Sequence, residues 1–175
     1  MMLGQLPSPP KGTMTEYKIV IEKDYLVFAC GHFITYSETC EALHGHNYRA
    51  RIELEGALDA NSEVWDFVSL KRLMRRLVDE MDHRMLLPTQ NPAIALSEHD
   101  DEIEARYEGR RYVFPRSDVV LLPIPNTTAE MLATYLLGRL KQELKKQGGG
   151  RLDALAVEVE ESFGQSGWCR QRFID

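Results

Sequence analysis

The sequence predicts an α+β fold in which two amphipathic helices cover one face of a four-stranded antiparallel sheet. Four segments alternate apolar and polar residues with the period of a strand, and two others repeat apolar residues with the period of a helix. Their order is β-β-α-α-β-β, with an insertion between the helices. Because such a sheet has two unpaired edges and one uncovered face, we expect the chain to assemble with other subunits.

The first two strands are expected to pair. Tyr17–Phe28 is rich in β-branched and aromatic residues, and its apolar positions alternate with polar ones, as in a strand with one solvated face. Asn47–Glu55 alternates in the same way, with Tyr48 on its apolar face and arginine and glutamate side chains on the other.

Two amphipathic helices follow. The first begins at Asp66, whose carboxylate can accept from the N–H groups of the first turn, and it ends near Asp82. The second covers Thr128–Gln147 and is expected to stop at Gly148–Gly150.

Two further strands close the predicted domain. Leu155, Val157 and Val159 alternate with polar or small residues, and Trp168–Ile174 is predicted as a shorter final strand. We expect the two helices to pack on the sheet that these strands complete.

The remaining segments are a long connection and a tail. Pro88–Pro125 is too long for an ordinary connector and contains a possible hairpin formed by Ile103–Tyr107 and Arg111–Phe114. Residues 1–14 are rich in Gly, Pro and Ser and are predicted to be a disordered tail, which leaves 15–175 as a single domain.

Composition excludes several classes of function. The 175 residues carry 21 basic and 27 acidic side chains, and the net charge of −6 gives no overall attraction for nucleic acid or anionic lipid. The longest charge-free run is shorter than the roughly 20 residues of a membrane span, and the N-terminus lacks the apolar core of a signal peptide. Three cysteines, an odd number, argue against a disulfide framework. We therefore expect a cytoplasmic protein that binds neither nucleic acid nor membrane.

The histidines carry the clearest functional signal. Of the five in the chain, His32, His44 and His46 fall within fifteen residues. His44 and His46 share one face at the start of a strand, and His32 ends the preceding strand, so the three can meet across the sheet. Three neutral imidazoles suit Zn²⁺ and leave a fourth position for water or substrate, as in catalytic sites. The alternative is that they are ordinary polar residues of a loop.

Cys40 lies four residues before His44. A thiol close to a bound cation and an imidazole could have its pKa lowered enough to act as a base or nucleophile. Two alternatives remain open: a small buried apolar side chain, or a fourth ligand that closes a structural zinc site.

Several segments resemble the 6-pyruvoyl-tetrahydropterin synthase family, whose bacterial members include 6-carboxy-tetrahydropterin synthase of the queuosine pathway. The segment Cys40–Tyr48, CEALHGHNY, resembles the family signature. Further motifs match in the same order along the chain: Val64–Lys71, Met81–Leu86, Asn126–Glu130 and Val157–Ser162. Together these segments cover most of the chain.

The resemblance implies a tunnelling fold, in which subunit sheets join into a barrel, and a homo-oligomer, usually a hexamer built as a dimer of trimers. It implies Zn²⁺ bound by His32, His44 and His46, and a small-molecule pterin substrate of the 7,8-dihydroneopterin triphosphate type. A Lewis-acidic metal that holds the hydroxyl groups of the substrate side chain would acidify them and the adjoining C–H.

The resemblance also implies roles in proton transfer. Cys40 matches the catalytic cysteine of the family, and Asp82 and His83 match the pair that completes its relay. Without the resemblance, an Asp-His pair at a helix end is more often a cap or a surface pair.

Three further residues match positions around the pterin. Glu161 matches the carboxylate that anchors the ring, and strand parity places it on the apolar face of Val157 and Val159, where a charge needs a partner. Thr127 and Thr128 match family positions near the pterin, although one of them is equally suited to cap the second helix.

Glu41 is a departure from the cysteine-type pattern. Some family members use a glutamate three residues before His-Gly-His, instead of the cysteine, to cleave dihydroneopterin-type substrates to 6-hydroxymethyl-dihydropterin for folate synthesis. This chain has both Cys40 and Glu41. The alternative for Glu41 is a solvated loop carboxylate. The Pro88–Pro125 connection is also longer than in the short bacterial members.

The sequence therefore predicts a zinc-dependent lyase that converts 7,8-dihydroneopterin triphosphate to 6-carboxy-tetrahydropterin or 6-pyruvoyl-tetrahydropterin. Folate-type cleavage through Glu41 is the alternative within the enzyme class. A non-catalytic, zinc-stabilised pterin-binding protein is the alternative of another class. The presence of Cys40, Asp82, His83 and Glu161 argues against it.

Overall fold

A computed structural model describes residues 15–37, 39–148 and 152–173. The strands in these ranges are β1 Lys18–His32, β2 His44–Gly56, β3 Arg84–Pro88, β4 Ala95–His99, β5 Glu102–Tyr107, β6 Arg110–Pro115, β7 Val119–Leu122, β8 Leu152–Ser162 and β9 Gln165–Arg172. The helices are α1 Phe67–Asp79 and α2 Ala129–Lys146, with a short 3-10 turn at Arg116–Asp118. The predicted tail, residues 1–14, lies outside the described residues.

The four predicted strands form the antiparallel array β1-β2-β8-β9, but the prediction of a four-stranded sheet is wrong. Within the described ranges the sheet has six strands in the order β7-β3-β1-β2-β8-β9. Strand β3 pairs in parallel with β1, and β7 pairs in parallel with β3. Both added strands are short apolar runs without alternation, a pattern typical of strands buried on both faces.

Both helices lie on the same face of the sheet, as predicted. Leu70 and Met74 of α1 and Leu136 of α2 pack with Phe28 and Tyr48 in one cluster, the main core. The Asp66 carboxylate accepts hydrogen bonds from two N–H groups of the first turn of α1, which confirms the predicted cap. Among the described residues, no helix is long and apolar enough to cross a membrane.

The connection between the helices is more ordered than the sequence suggested. The predicted hairpin is present as β5 and β6, and β4 joins it in a three-stranded antiparallel sheet. This small sheet encloses an apolar cluster, the second core, formed by Phe33, Cys40, Met85, Leu87, Ile94, Ile103, Ala105, Tyr107 and Val119. On β3, Leu86 belongs to the main core, whereas Met85 and Leu87 belong to the second core. Because successive strand residues point to opposite faces, the two cores lie on opposite faces of the large sheet.

Candidate functional site

The three predicted histidines come together where β1 ends and β2 begins. In the antiparallel register His32 lies opposite His44, and Cys30 lies opposite His46. Residues two apart on a strand share a face, so all three imidazoles project to the same side. One ring nitrogen from each lies within 4.8 Å of the others.

The chemistry of these donors fits a shared cation. His32 Nδ1 lies 3.0 Å from the Thr127 carbonyl oxygen, and His44 Nδ1 lies 2.8 Å from that of Ala42. A carbonyl accepts but does not donate, so each Nδ1 carries the hydrogen and each Nε2 presents its lone pair, with the Tyr48 hydroxyl 3.2 Å from His32 Nε2. The two Nε2 atoms face each other at 3.2 Å. Two zinc-bound nitrogens in a tetrahedral site are about 3.3 Å apart, given Zn–N distances of about 2.0–2.1 Å.

Burial and backbone packing maintain this arrangement. His32 is fully buried, and burial lowers its pKa, which favours the neutral imidazole that a metal requires. Gly45, between the other two histidines, packs against β1 so closely that an added Cβ would lie 2.7 Å from the Cys30 carbonyl oxygen. Only glycine allows the two strands to approach to this distance.

Glu161 lies beside the histidines, on the face predicted by strand parity. Its Oε1 is 3.5 Å from His46 Nε2 and 3.7 Å from His32 Nε2. It also accepts a hydrogen bond of 3.3 Å from the Tyr48 hydroxyl. Tyr48 was not predicted as a site residue, although its spacing of two from His46 places it on the same face. Burial raises the pKa of Tyr48, so its hydroxyl remains a donor.

Glu41 also lies beside the histidines. Its Oε1 accepts a hydrogen bond of 2.7 Å from the Tyr36 hydroxyl. Its Oε2 is shielded from solvent, has no hydrogen-bond partner among the described residues, and lies 3.8 Å from His44 Nε2. The carboxylate is therefore a site residue by position. No sequence pattern identified Tyr36, because its contact depends on the turn in which the Tyr36 N–H donates to the Thr39 carbonyl.

Comparison with known proteins identifies the family. The family model for 6-pyruvoyl tetrahydropterin synthase matches residues 21–172. The chain belongs to this family.

Similar proteins agree with this membership. A Methanocaldococcus jannaschii protein named as a 6-carboxy-5,6,7,8-tetrahydropterin synthase is 32% identical over 151 residues, which is 86% of this chain and 92% of that protein. The solved 6-pyruvoyltetrahydropterin synthase of Plasmodium vivax is 27% identical and superposes with a TM-score of 0.87, covering 91% of this chain and all of that one. A second solved form of that protein replaces a glutamate described as a catalytic residue. Family membership supports tetrahydropterin synthase activity, which is lyase chemistry, for this chain.

Cys40, for which the resemblance implied a catalytic role, packs away from the histidines. Its side chain is 8% exposed and packs in the second core with Phe33, Met85 and Tyr107. Burial raises the pKa of its thiol, which is opposite to the shift expected beside a cation and an imidazole. This environment matches the alternative of a small buried apolar side chain.

Asp82 and His83 form the predicted pair. Asp82 Oδ1 accepts a hydrogen bond of 2.8 Å from the Ala29 N–H and lies 3.1 Å from His83 Nδ1. The His83 side chain is 83% exposed and lines an open cleft of about 570 Å³ that is also lined by His44 and His46. Within the described part of the chain, no hydrogen bond or ion pair joins His83 to Cys40, Glu41 or the three histidines.

The two threonines differ in position. Thr127 is buried, donates its hydroxyl to the Phe33 carbonyl oxygen at 3.2 Å, and orients His32 through its own carbonyl. Thr128 is the N-cap of α2 and accepts from the Met131 N–H, which is the capping alternative considered from the sequence. A contact of either threonine with a pterin stays a prediction.

Proposed function

We propose that this chain is a zinc-dependent lyase that acts on 7,8-dihydroneopterin triphosphate, with the metal held by His32, His44 and His46. The observation that carries the proposal is the approach of His32 Nε2 and His44 Nε2 to 3.2 Å with both lone pairs facing each other. A shared cation suits that geometry, and two carboxylates, Glu41 and Glu161, lie within 4 Å of the cluster.

The metal and the two carboxylates beside the histidines are proposed to have separate roles. Zinc bound there supplies Lewis acidity toward the hydroxyl groups of the substrate side chain. Glu161 is proposed to accept hydrogen bonds from the N–H groups of the pterin ring, in the direction from which Tyr48 now donates. The unpartnered Oε2 of Glu41 can accept a proton from the substrate side chain, because no group of the described residues competes for it.

A tetrahydropterin is the first candidate product. The relatives named as 6-carboxy-tetrahydropterin synthases support 6-carboxy-tetrahydropterin, and the family model supports the related 6-pyruvoyl compound. The first would place the chain in the queuosine pathway.

Cleavage to 6-hydroxymethyl-dihydropterin is the second candidate, and one observation favours it. Of the two adjacent candidate bases, Glu41 faces the histidines, whereas Cys40 is buried in the second core. In the Plasmodium vivax relative a glutamate is the catalytic residue, which supports the same choice of base here.

The position of His83 leads us to propose that the active unit is a homo-oligomer. His83 lines an open cleft that also includes His44 and His46, and its side chain is 83% exposed, so the cleft of a single copy leaves this imidazole in solvent. In a dimer of trimers, this pair would complete the proton relay of a neighbouring copy.

Product identification tests the proposal. Zinc-loaded protein, zinc-stripped protein and Glu41→Gln protein are incubated with 7,8-dihydroneopterin triphosphate, and the pterins are identified by chromatography and mass spectrometry. We expect a single pterin product that requires both zinc and Glu41. Full turnover after zinc removal would contradict the metal-dependent mechanism. Tight pterin binding without any product would instead establish the non-catalytic alternative.

A further inference from the structure

The insertion between the helices contacts the backbone of the CEALHGH segment. Arg110, the first residue of β6, donates from Nη1 to the carbonyl oxygen of Cys40 at 3.0 Å and to that of Glu41 at 2.8 Å. The arginine follows these residues by about seventy positions, so the contact depends on the folding of the insertion. Neither the proposed metal centre nor the proposed proton transfers use Arg110.

These two hydrogen bonds belong to a set that holds the whole segment. The next carbonyl, that of Ala42, accepts from His44 Nδ1, and the Glu41 N–H donates to the Ile34 carbonyl at 2.9 Å. Three consecutive carbonyls therefore have partners. With the peptide planes held in this way, the Cα–Cβ bonds of Cys40 and Glu41 keep their directions toward opposite sides of the segment.

Exchanging the positions of the Cys40 and Glu41 side chains would be energetically unfavourable. Cys40 packs against apolar neighbours such as Phe33 and Tyr107 in the second core. Rotating the segment to bring its thiol toward the histidines would break both Arg110 hydrogen bonds and turn the Glu41 carboxylate toward that core. Burial of an unpaired carboxylate among apolar side chains is strongly disfavoured.

We propose that Arg110 is a positioning residue that, together with the second core, presents Glu41 rather than Cys40 to the metal-binding histidines. The inference rests on the proposed function and deepens it, because it assigns the choice of catalytic base to the insertion. The insertion would then act as a specificity element that separates glutamate-type from cysteine-type chemistry in a chain that has both residues.

The test replaces Arg110 and measures the accessibility of Cys40 without substrate. Arg110→Met removes the donor of both hydrogen bonds and keeps most of the apolar part of the side chain, and Arg110→Lys keeps a cationic donor on a shorter side chain. Arg111→Met is the matched control, because Arg111 pairs with Glu104 at 2.6 Å within the small sheet. Alkylation by iodoacetamide is followed by peptide mass spectrometry. Cys30 serves as the internal unreactive thiol, since it is buried in the main core.

We expect alkylation of Cys40 to accelerate about tenfold or more in Arg110→Met, to accelerate less in Arg110→Lys, and to stay at the wild-type rate in Arg111→Met. With 7,8-dihydroneopterin triphosphate, kcat of Arg110→Met should fall about tenfold or more at a KM within about twofold of wild type, because the base is misplaced. Bound zinc should be unchanged.

Wild-type alkylation and kcat in folded Arg110→Met would overturn the inference, and so would a loss of activity that simply follows loss of zinc. If Arg110→Met does not fold, Arg110→Lys is used instead. Alkylation of Cys40 and kcat at the wild-type values in that variant would also overturn the inference. A wild-type protein with no turnover would refute the proposed function, whereas the alkylation measurement needs no substrate and still tests the role of Arg110.

Discussion

Glu41 Oε2 lies 3.8 Å from His44 Nε2, shielded from solvent and without a hydrogen-bond partner among the described residues. We propose that this carboxylate oxygen accepts a proton from a substrate bound at the histidines. The residue before it, Cys40, points into the second core. On this proposal, the choice between glutamate-type and cysteine-type chemistry depends on the directions of these two adjacent side chains.

Removal of any one of the three histidines should abolish stoichiometric zinc binding. Substitution of His32, His44 or His46 by Ala leaves two nitrogen ligands, and we expect the affinity for zinc to fall by about a hundredfold or more. Zinc per chain is measured by mass spectrometry after equilibrium dialysis against a chelator. His99→Ala, on the insertion strand β4, is the control and should keep its zinc. Zinc retained by all three variants would refute the proposed ligand set.

Gly45→Ala should destabilise the protein, because its Cβ would lie 2.7 Å from the Cys30 carbonyl oxygen and would push β1 and β2 apart. We expect a loss of about 1–3 kcal/mol in the free energy of unfolding, measured with urea. Gly138→Ala in α2 is the matched control. It has open space around the new Cβ and should gain about 0.5–1 kcal/mol. Equal stabilities of the two variants would contradict the close approach of the strands.

Asp82 should make folding stability depend on pH in the acidic range. Burial alone would raise its pKa, but the hydrogen bonds from the Ala29 N–H and His83 outweigh burial and lower the pKa below the ordinary value. A carboxyl with a lowered pKa stabilises the folded state above its unfolded pKa of about 3.9, and this contribution disappears as the pH falls through the folded value.

Asp82→Asn should therefore be less stable than wild type at pH 7, and the difference should shrink on acidification below about pH 4. Urea unfolding at several pH values measures the difference in the free energy of unfolding between the two proteins. Asp100→Asn, in the turn between β4 and β5, is the control for loss of one charge. A difference that is independent of pH would show that the carboxylate charge of Asp82 is not stabilising.

If the relay crosses between subunits, two inactive variants should complement each other. Glu41→Gln lacks the base and His83→Ala lacks the relay imidazole, but a mixed oligomer contains sites with one intact copy of each. After joint unfolding and refolding of an equal mixture, we expect about a quarter of wild-type activity from random assembly. Activity no greater than the average of the two pure variants would place His83 outside the reaction or within its own chain's site.

The histidine cluster and both helix starts were predictable because they depend on local spacing. His44 and His46 lie two apart on a strand, a separation that fixes their common face wherever the strand is placed. Asp66 caps α1 through atoms two and three residues away. Glu161 was predictable for the same reason, since strand parity alone distinguished it from Glu160.

The rest of the site depends on contacts between distant segments. Strands β3 and β7 are apolar runs whose partners lie elsewhere in the chain, so no local period revealed them. The direction of Cys40 depends on a core that residues 94–107 complete. The contact of Arg110 with this segment could not be predicted for the same reason, because its acceptors lie about seventy residues earlier.

The turnover of 7,8-dihydroneopterin triphosphate by zinc-loaded Glu41→Gln and Cys40→Ala proteins tests the central claim most directly. Glu41→Gln keeps the size of the side chain and removes the proton acceptor, so kcat should fall by about a hundredfold or more at unchanged zinc content. Cys40→Ala should retain activity within a few-fold of wild type, because its thiol lies in the second core. An active Glu41→Gln protein together with an inactive, folded and zinc-loaded Cys40→Ala protein would contradict the claim that Glu41 is the catalytic base.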